Sequence, residues 1–234
     1  MDNRQESSLV ELKGVSLEKI DERLDTLTDL VSPQVALVID INRPPLRLGV
    51  MASGSGSNFG SIAQAIHEQK LNAQIQVLIY NNPGIKAVER AAQWGVPAVL
   101  LNHRDYPQRE ALDAQVAQTL KDYQVDLVVM AGWMRRVTQV LIDGFPQQII
   151  NIHPSLLPSF PGIKAVEQAL AAGVKIAGCT VHFVTLEVDR GPMIIQAAVP
   201  VFPTDTADSL HARIQVQEHR IMIEAIAHLT NILR

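Results

Sequence analysis

From Leu46 onward, short apolar runs alternate with stretches whose apolar residues recur at helical spacing, the order that builds a parallel sheet covered by helices. Strands are predicted at 47–52 (RLGVMA), 74–80 (QIQVLIY), 97–101 (PAVLL), 126–132 (DLVVMAG) and 148–152 (QIINI). Helices are predicted between the first four, over 58–69, 85–94 and 107–123. GCTVHFVT at 178–185 and MIIQAAV at 193–199 are rich in β-branched and apolar residues and flank a Gly-Pro turn, so they read as two later strands. After Asp205 the chain runs on without Gly or Pro, and Leu210, Ile214, Ile221, Met222 and Ile226 fit one face of a long helix.

Residues 1–45 differ in character. Leu17, Ile20, Leu24, Leu27 and Val31 alternate spacings of three and four, the pattern of an amphipathic helix that Pro33 ends. A short apolar strand, VALVIDI at 35–41, is expected next, and NRPP leads into the main domain. The chain therefore divides into an N-terminal extension, 1–45, and a main domain, 46–234. The extension is expected to pack on the body or across a subunit interface, which is compatible with a homodimer.

Composition narrows the partners. With 234 residues and 47% hydrophobic content the chain can bury a full core. A net charge of −4 leaves no basic field to collect nucleic acid or an anionic membrane, so small molecules are the expected partners. Cys179 is the single cysteine, which excludes an internal disulfide or a cysteine-based zinc cluster and points to a reducing compartment. The first residues lack the basic-then-apolar order of a secretory signal, and the acids that follow argue against a transit peptide. No stretch approaches the roughly 20 apolar residues that span a bilayer. A soluble cytoplasmic protein is expected.

Two segments carry candidate chemistry. ASGSGSN at 52–58 joins the first strand to the first helix, so free N–H groups and the positive end of the helix dipole point at one spot, a geometry that binds phosphate. Gly54 and Gly56 permit close approach, and Ser55, Ser57 and Asn58 add donors. A dinucleotide fingerprint does not fit: Phe59 stands where the third glycine belongs, and the second strand ends in Tyr80, Asn81 and Asn82 with no acid for a ribose. A Gly-Lys-Ser or Gly-Lys-Thr P-loop is absent as well. The second segment is IINIHPSLLPSFPG at 149–162, a strand running into a proline-stiffened loop. Asn151 and His153 lie two apart and project to one side at a strand's carboxyl end, where open α/β sheets bind ligands. An amide and an imidazole together can donate to an oxygen gaining charge in acyl transfer. Asp189, in HFVTLEVDRGP, would stabilise and orient a protonated imidazole if the fold brings it near. His153, His182 and Asp189 lack the spacing of a metal-ligand set, and no metal is expected.

SGSGSN, AGWMR, NIHPSLLPSFPG, HFVTLEVDRGP and QVQEH, in this order, resemble the glycinamide ribonucleotide formyltransferases from about Leu46 to the end. The resemblance implies a Rossmann-like, mainly parallel sheet with helices on both faces. It implies that Gly56, Ser57 and Asn58 hold the substrate phosphate, while Gln215 and Glu218 contact the rest of the ribonucleotide from one helix face. It places the co-substrate 10-formyltetrahydrofolate against Arg109, the turn Met134, Arg135, Arg136 and Val137, and Asn151, with Arg109 and Arg135 offering planar donors to its glutamate carboxylates. Asn151, His153 and Asp189 carry over as catalytic: the amine attacks the formyl carbon, Asn151 and protonated His153 steady the oxyanion, and water relays a proton to the departing folate nitrogen. Ser55, Lys164 and the first 45 residues depart from the family pattern.

Related activities fit less well. A formyltetrahydrofolate deformylase shares the catalytic trio but needs no phosphate turn and carries a longer amino-terminal domain. A formyltransferase acting on initiator tRNA adds a carboxy-terminal barrel, on the order of 100 residues, whereas this chain ends after its last helix. A non-catalytic folate or nucleotide binder would have no need of all three polar residues.

Overall fold

The structure, a computed structural model, describes residues 30–33 and 43–232. Its centre is an eight-stranded sheet. Five strands run parallel, in the spatial order β6 (Ile149–His153), β5 (Leu127–Met130), β2 (Leu46–Ala52), β3 (Ala73–Tyr80) and β4 (Ala98–Leu100). Beyond β6 the sheet continues antiparallel through β7 (Ile176–Phe183), β8 (Met193–Pro200) and the two-residue β1 (Val31–Ser32).

Alternation along each strand divides the core between the faces. Leu48, Val50, Leu127 and Val129 meet one set of helices: α1 (Ser57–His67), α2 (Lys86–Gln93), α5 (Ala165–Ala171) and α6 (Ala207–Ile232). Met51, Val77, Ile79 and Val128 meet α3 (Arg109–Asp122) and α4 (Gln139–Gly144) through Leu112, Val116, Leu120 and Leu141. Strands covered on both sides have no polar face, which is why β5 reads LVVM and is buried throughout. Each fully buried side chain of this size contributes roughly 1.5–3 kcal/mol. Leu210, Ile214, Ile221, Met222 and Ile226 of α6 are all buried, as their spacing predicts. Among the described residues no helix is long and apolar enough to cross a membrane.

The extension is corrected at one point. Val31 does not end a helix; it pairs with Ala197 on β8, and the Ala198 N–H donates to Leu30 O. Val31 is buried, so its place in the apolar spacing reflects the sheet's edge. The rest of the expected helix and the strand expected at 35–41 lie outside the described residues.

The chain winds from β2 outward through β3 to β4, then returns to the other side of β2 as β5. The carboxyl ends of β2 and β5 therefore part at a topological switch point, where such sheets form crevices. Two hydrogen bonds join the loops there: Ser53 N–H to Gly132 O at 3.0 Å and Met134 N–H to Ser53 Oγ at 2.8 Å.

Candidate active site

The glycine-rich turn after β2 meets α6. Gln215 Nε2 donates to Ser57 Oγ at 3.0 Å, and Asn58 Nδ2 donates to Glu218 Oε2 at 3.2 Å. Residues 158 and 160 positions apart thus share one cluster, and all five side chains and backbone positions expected to hold a ribonucleotide come together. Gln215 and Glu218 are three apart on α6, and this spacing lets both face the turn. Burial pushes the Glu218 carboxyl above its ordinary value, against the Asn58 amide and the charge of His211.

Gly56 also has a role in the turn itself. It caps α1 in the left-handed region (φ 66°) with no side-chain cap, and a Cβ there would lie 2.6 Å from Ala87 Cβ on α2. Glycine is required by the backbone and by the neighbouring helix, before any ligand arrives.

At the carboxyl end of β6, Asn151 pairs across the sheet with His182 of β7. A register shift between Val181 and His182 against β8 re-aims the His182 side chain, a common use of bulges beside sites. His182 Nδ1 donates to Phe183 O at 2.8 Å, and its Nε2 lies 3.2 Å from Asn151 Nδ2. The second amide hydrogen and the carbonyl of Asn151 remain for a ligand.

Asp189 sits between the two histidines, Oδ2 at 3.4 Å from His153 Nδ1 and Oδ1 at 3.6 Å from His182 Nε2. It also accepts from Gly162 N–H at 2.7 Å, which ties the proline-rich loop to the loop after β7. Burial alone would raise its carboxyl; the contact with His182, the Gly162 N–H and the charge of His153 outweigh that and hold it below its ordinary value. His153 Nε2 lies 2.9 Å from Phe160 O. Both nitrogens of this buried ring therefore face an oxygen.

Asn151, His153 and Asp189 line a cavity of about 530 Å³ together with Met134, Arg135, Arg136 and Val137. Its wall holds two buried donors with no acceptor among the described residues, Trp133 Nε1 and Arg135 Nε. A ligand bearing acceptors would satisfy them. The rim is apolar, with Met134, Ile163 and Leu186 among the most exposed large hydrophobic side chains. Arg109 is not in this cavity. It lines an adjoining one with Arg136, while Arg135 lines the inner cavity. Two features had no local signal in the sequence: His182 as a partner of Asn151 and Asp189, and the segment from Thr185 to Val188 as lining. His182 was legible as HFV opposite NIH only once the β6–β7 pairing was known.

At the far end of the turn 134–137, Asp113 of α3 is buried and accepts the Thr138 N–H. Burial raises its carboxyl above the ordinary value, with the Thr138 N–H opposing. The turn is thus hung at both ends, from Ser53 Oγ at Met134 and from Asp113 at Thr138.

Comparison with known proteins agrees with this arrangement. Residues 46–226 match the sequence profile of the family described as formyl transferase. A phosphoribosylglycinamide formyltransferase of Bacillus subtilis is 39% identical over 174 residues, 74% of this chain and 89% of that protein. The trifunctional purine biosynthetic protein adenosine-3 of Drosophila melanogaster is 42% identical over 187 residues, 79% of this chain, and the chain spans 14% of that relative's length. The crystal structure of glycinamide ribonucleotide transformylase 1 from Symbiobacterium toebii superposes with a TM-score of 0.77 at 49% identity, covering 78% of this chain and 86% of that one. With the profile running from the first residue of β2 into α6, through both candidate segments, this chain belongs to the formyl transferase family.

Proposed function

We propose that this protein transfers the formyl group of 10-formyltetrahydrofolate to the amine of glycinamide ribonucleotide, a step of purine biosynthesis. The observation that carries the reading is the joining of two unlike sites at one switch point: an anion-ready glycine turn completed by Gln215 and Glu218, and a cavity floored by Asn151, His153 and Asp189. A deformylase has no use for the first of these.

In this reading Gly56, Ser57 and Asn58 bind the phosphate, and the buried Glu218 and Gln215 meet the sugar and amide. The folate lies in the cavity, its ring near Asn151 and its tail toward Arg135, Arg136 and Arg109. The substrate nitrogen forms a bond to the formyl carbon, and the carbonyl electron pair moves to oxygen. Asn151 donates its free N–H to that oxygen, and His153 Nε2 donates by exchanging the Phe160 carbonyl for it. Collapse breaks the bond to the folate nitrogen, which takes a proton that the amine gave up, relayed by water. Asp189 keeps the imidazole protonated and oriented throughout. The reaction balances with tetrahydrofolate and formylated ribonucleotide as its products.

The catalytic domain in this reading is 46–234, with 1–45 an extension whose Val31–Ser32 pair adds to the sheet edge. Small molecules are its substrates and the cytoplasm its place of work; a homodimer through the extension is part of the same proposal. The test is to incubate the protein with 10-formyltetrahydrofolate, with and without glycinamide ribonucleotide, and follow folate release. Release that depends on the amine supports the reading. Equal rates with and without it identify a deformylase, and no release in either case identifies a binding protein.

A further inference from the structure

The glycine-rich turn after β2 is held from its outer side by the segment that follows β3. Ser53 O accepts from Asn82 Nδ2 at 3.0 Å, Gly54 O from the Ala87 N–H at 3.3 Å, and Ser55 O from Arg90 Nε at 3.0 Å. The peptides of the turn are trans, and a trans peptide points its C=O and its N–H in opposite directions. Drawing three consecutive oxygens toward this segment therefore turns the N–H groups of Gly54, Ser55 and Gly56 away from it. None of these three N–H groups has an acceptor among the described residues.

Of the three ties, the one to Ser55 comes from a charged donor, which makes the stronger kind of hydrogen bond. It also acts on the peptide just before Gly56, where the backbone turns left-handed into α1. Arg90 reaches it from α2 by crossing α1 at Gly60, where a Cβ would lie 3.3 Å from Arg90 Nη1 and 3.7 Å from its Cδ. Glycine is unfavourable inside a helix, and here its bare backbone leaves the bay that the Arg90 stem occupies. We propose that Arg90 is a positioning residue for the substrate phosphate: it holds the Ser55 peptide so that the Gly56 N–H faces the anion, without touching the anion itself. The proposal rests on the reading of Gly56, Ser57 and Asn58 as the phosphate site.

The experiment compares Arg90→Met, Arg90→Gln and Arg90→Lys in the full-length protein, with KM measured for glycinamide ribonucleotide, for the phosphate-free riboside and for the formyl donor. Glutamine places an N–H as many bonds from Cα as Arg90 Nε and carries no charge; lysine keeps the charge but has a methylene at that place; methionine has neither donor nor charge. Wild type should favour the ribonucleotide over the riboside. Arg90→Met should raise the ribonucleotide KM about tenfold, the lower end of what one hydrogen bond to a charged group contributes, and should leave the riboside and donor KM values nearly unchanged. Arg90→Gln should restore most of the loss, and Arg90→Lys little of it. Restoration by lysine and not by glutamine would overturn the inference, because charge and not the held peptide would then be what matters. An unchanged ribonucleotide KM in Arg90→Met, or a donor KM that rises with it, would overturn the inference too, and in each of these cases the phosphate reading stands. A wild type that uses the riboside as well as the ribonucleotide would overturn both.

Discussion

Asp189 holds a left-handed backbone conformation (φ 54°), which Asp and Asn tolerate far better than other side chains with a Cβ. Asp189→Asn therefore keeps the backbone and the shape while removing the charge between His153 and His182. An amide oxygen can still accept from Gly162, so the loop tie survives. What is lost is the anion that favours a protonated His153. We expect turnover to fall by about 10² to 10³, the loss typical of one oxyanion donor, with both substrates still bound. Adding His153→Ala should cost little more, because groups acting as a unit are not additive. Steady-state kinetics with a circular dichroism check of folding decides it: turnover within about threefold of wild type would remove Asp189 from the chemistry.

At the scale of elements, the turn between β5 and α4 is a strap fixed at two points, and Asp113 is the deeper one. Asp113→Ala leaves the Thr138 N–H buried without an acceptor, at a cost of about 1–3 kcal/mol. The turn lines both cavities, so the KM for the folate donor should rise while that for the ribonucleotide, held across the switch point, stays nearly constant. Asp113→Asn retains an acceptor and should restore the donor KM. If both KM values rise together, the effect is general destabilisation and the strap has no separate role. A second element boundary responds to pH. Asp205, before α6, takes a paired contact from Arg213 and further bonds from the Phe202 N–H and Ser209. These hold its carboxyl below the ordinary value of 3.8. A depressed folded value contributes stability above the unfolded value and loses it as pH falls through the folded one. Asp205→Asn should thus lower Tm at neutral pH, and the gap from wild type should narrow as pH drops below 3.8. A gap constant from neutral into acid would show that charge plays no part.

For the whole molecule, the informative region is the edge of the sheet. β1 covers the outer backbone of β8 and buries Val31 against the core. Deleting residues 1–43 exposes that edge, and an uncovered edge invites pairing with another chain. The site lies at the ends of β2, β5, β6 and β7, with β8 between it and β1. We expect the truncated protein to keep its turnover within about threefold, to melt at a lower temperature, and to aggregate more readily than one lacking only residues 1–28. Unchanged melting would mean that the strand adds nothing to stability; lost turnover in a folded truncation would mean that the extension reaches the site.

Periodicity alone determined most of the architecture, because a parallel sheet covered on both faces needs continuous apolar strands and helices with one apolar stripe, and both patterns are local. The seven longer strands and the helices α1, α2, α3 and α6 were legible in this way. The short helices α4 and α5 were not, since six or seven residues hold too few turns to show a period. The candidate residues were legible by type and by motif: Asn151 and His153 through their spacing of two, Gln215 and Glu218 through their spacing of three. Their company was not. That Asp189 stands between His153 and His182, that α6 closes on the glycine turn, and that Arg109 and Arg136 line one cavity follow from the β6–β7 register, the crossover at β2 and the path of the loops. These are contacts between residues far apart in the chain, set by how whole elements pack, and no local pattern encodes them.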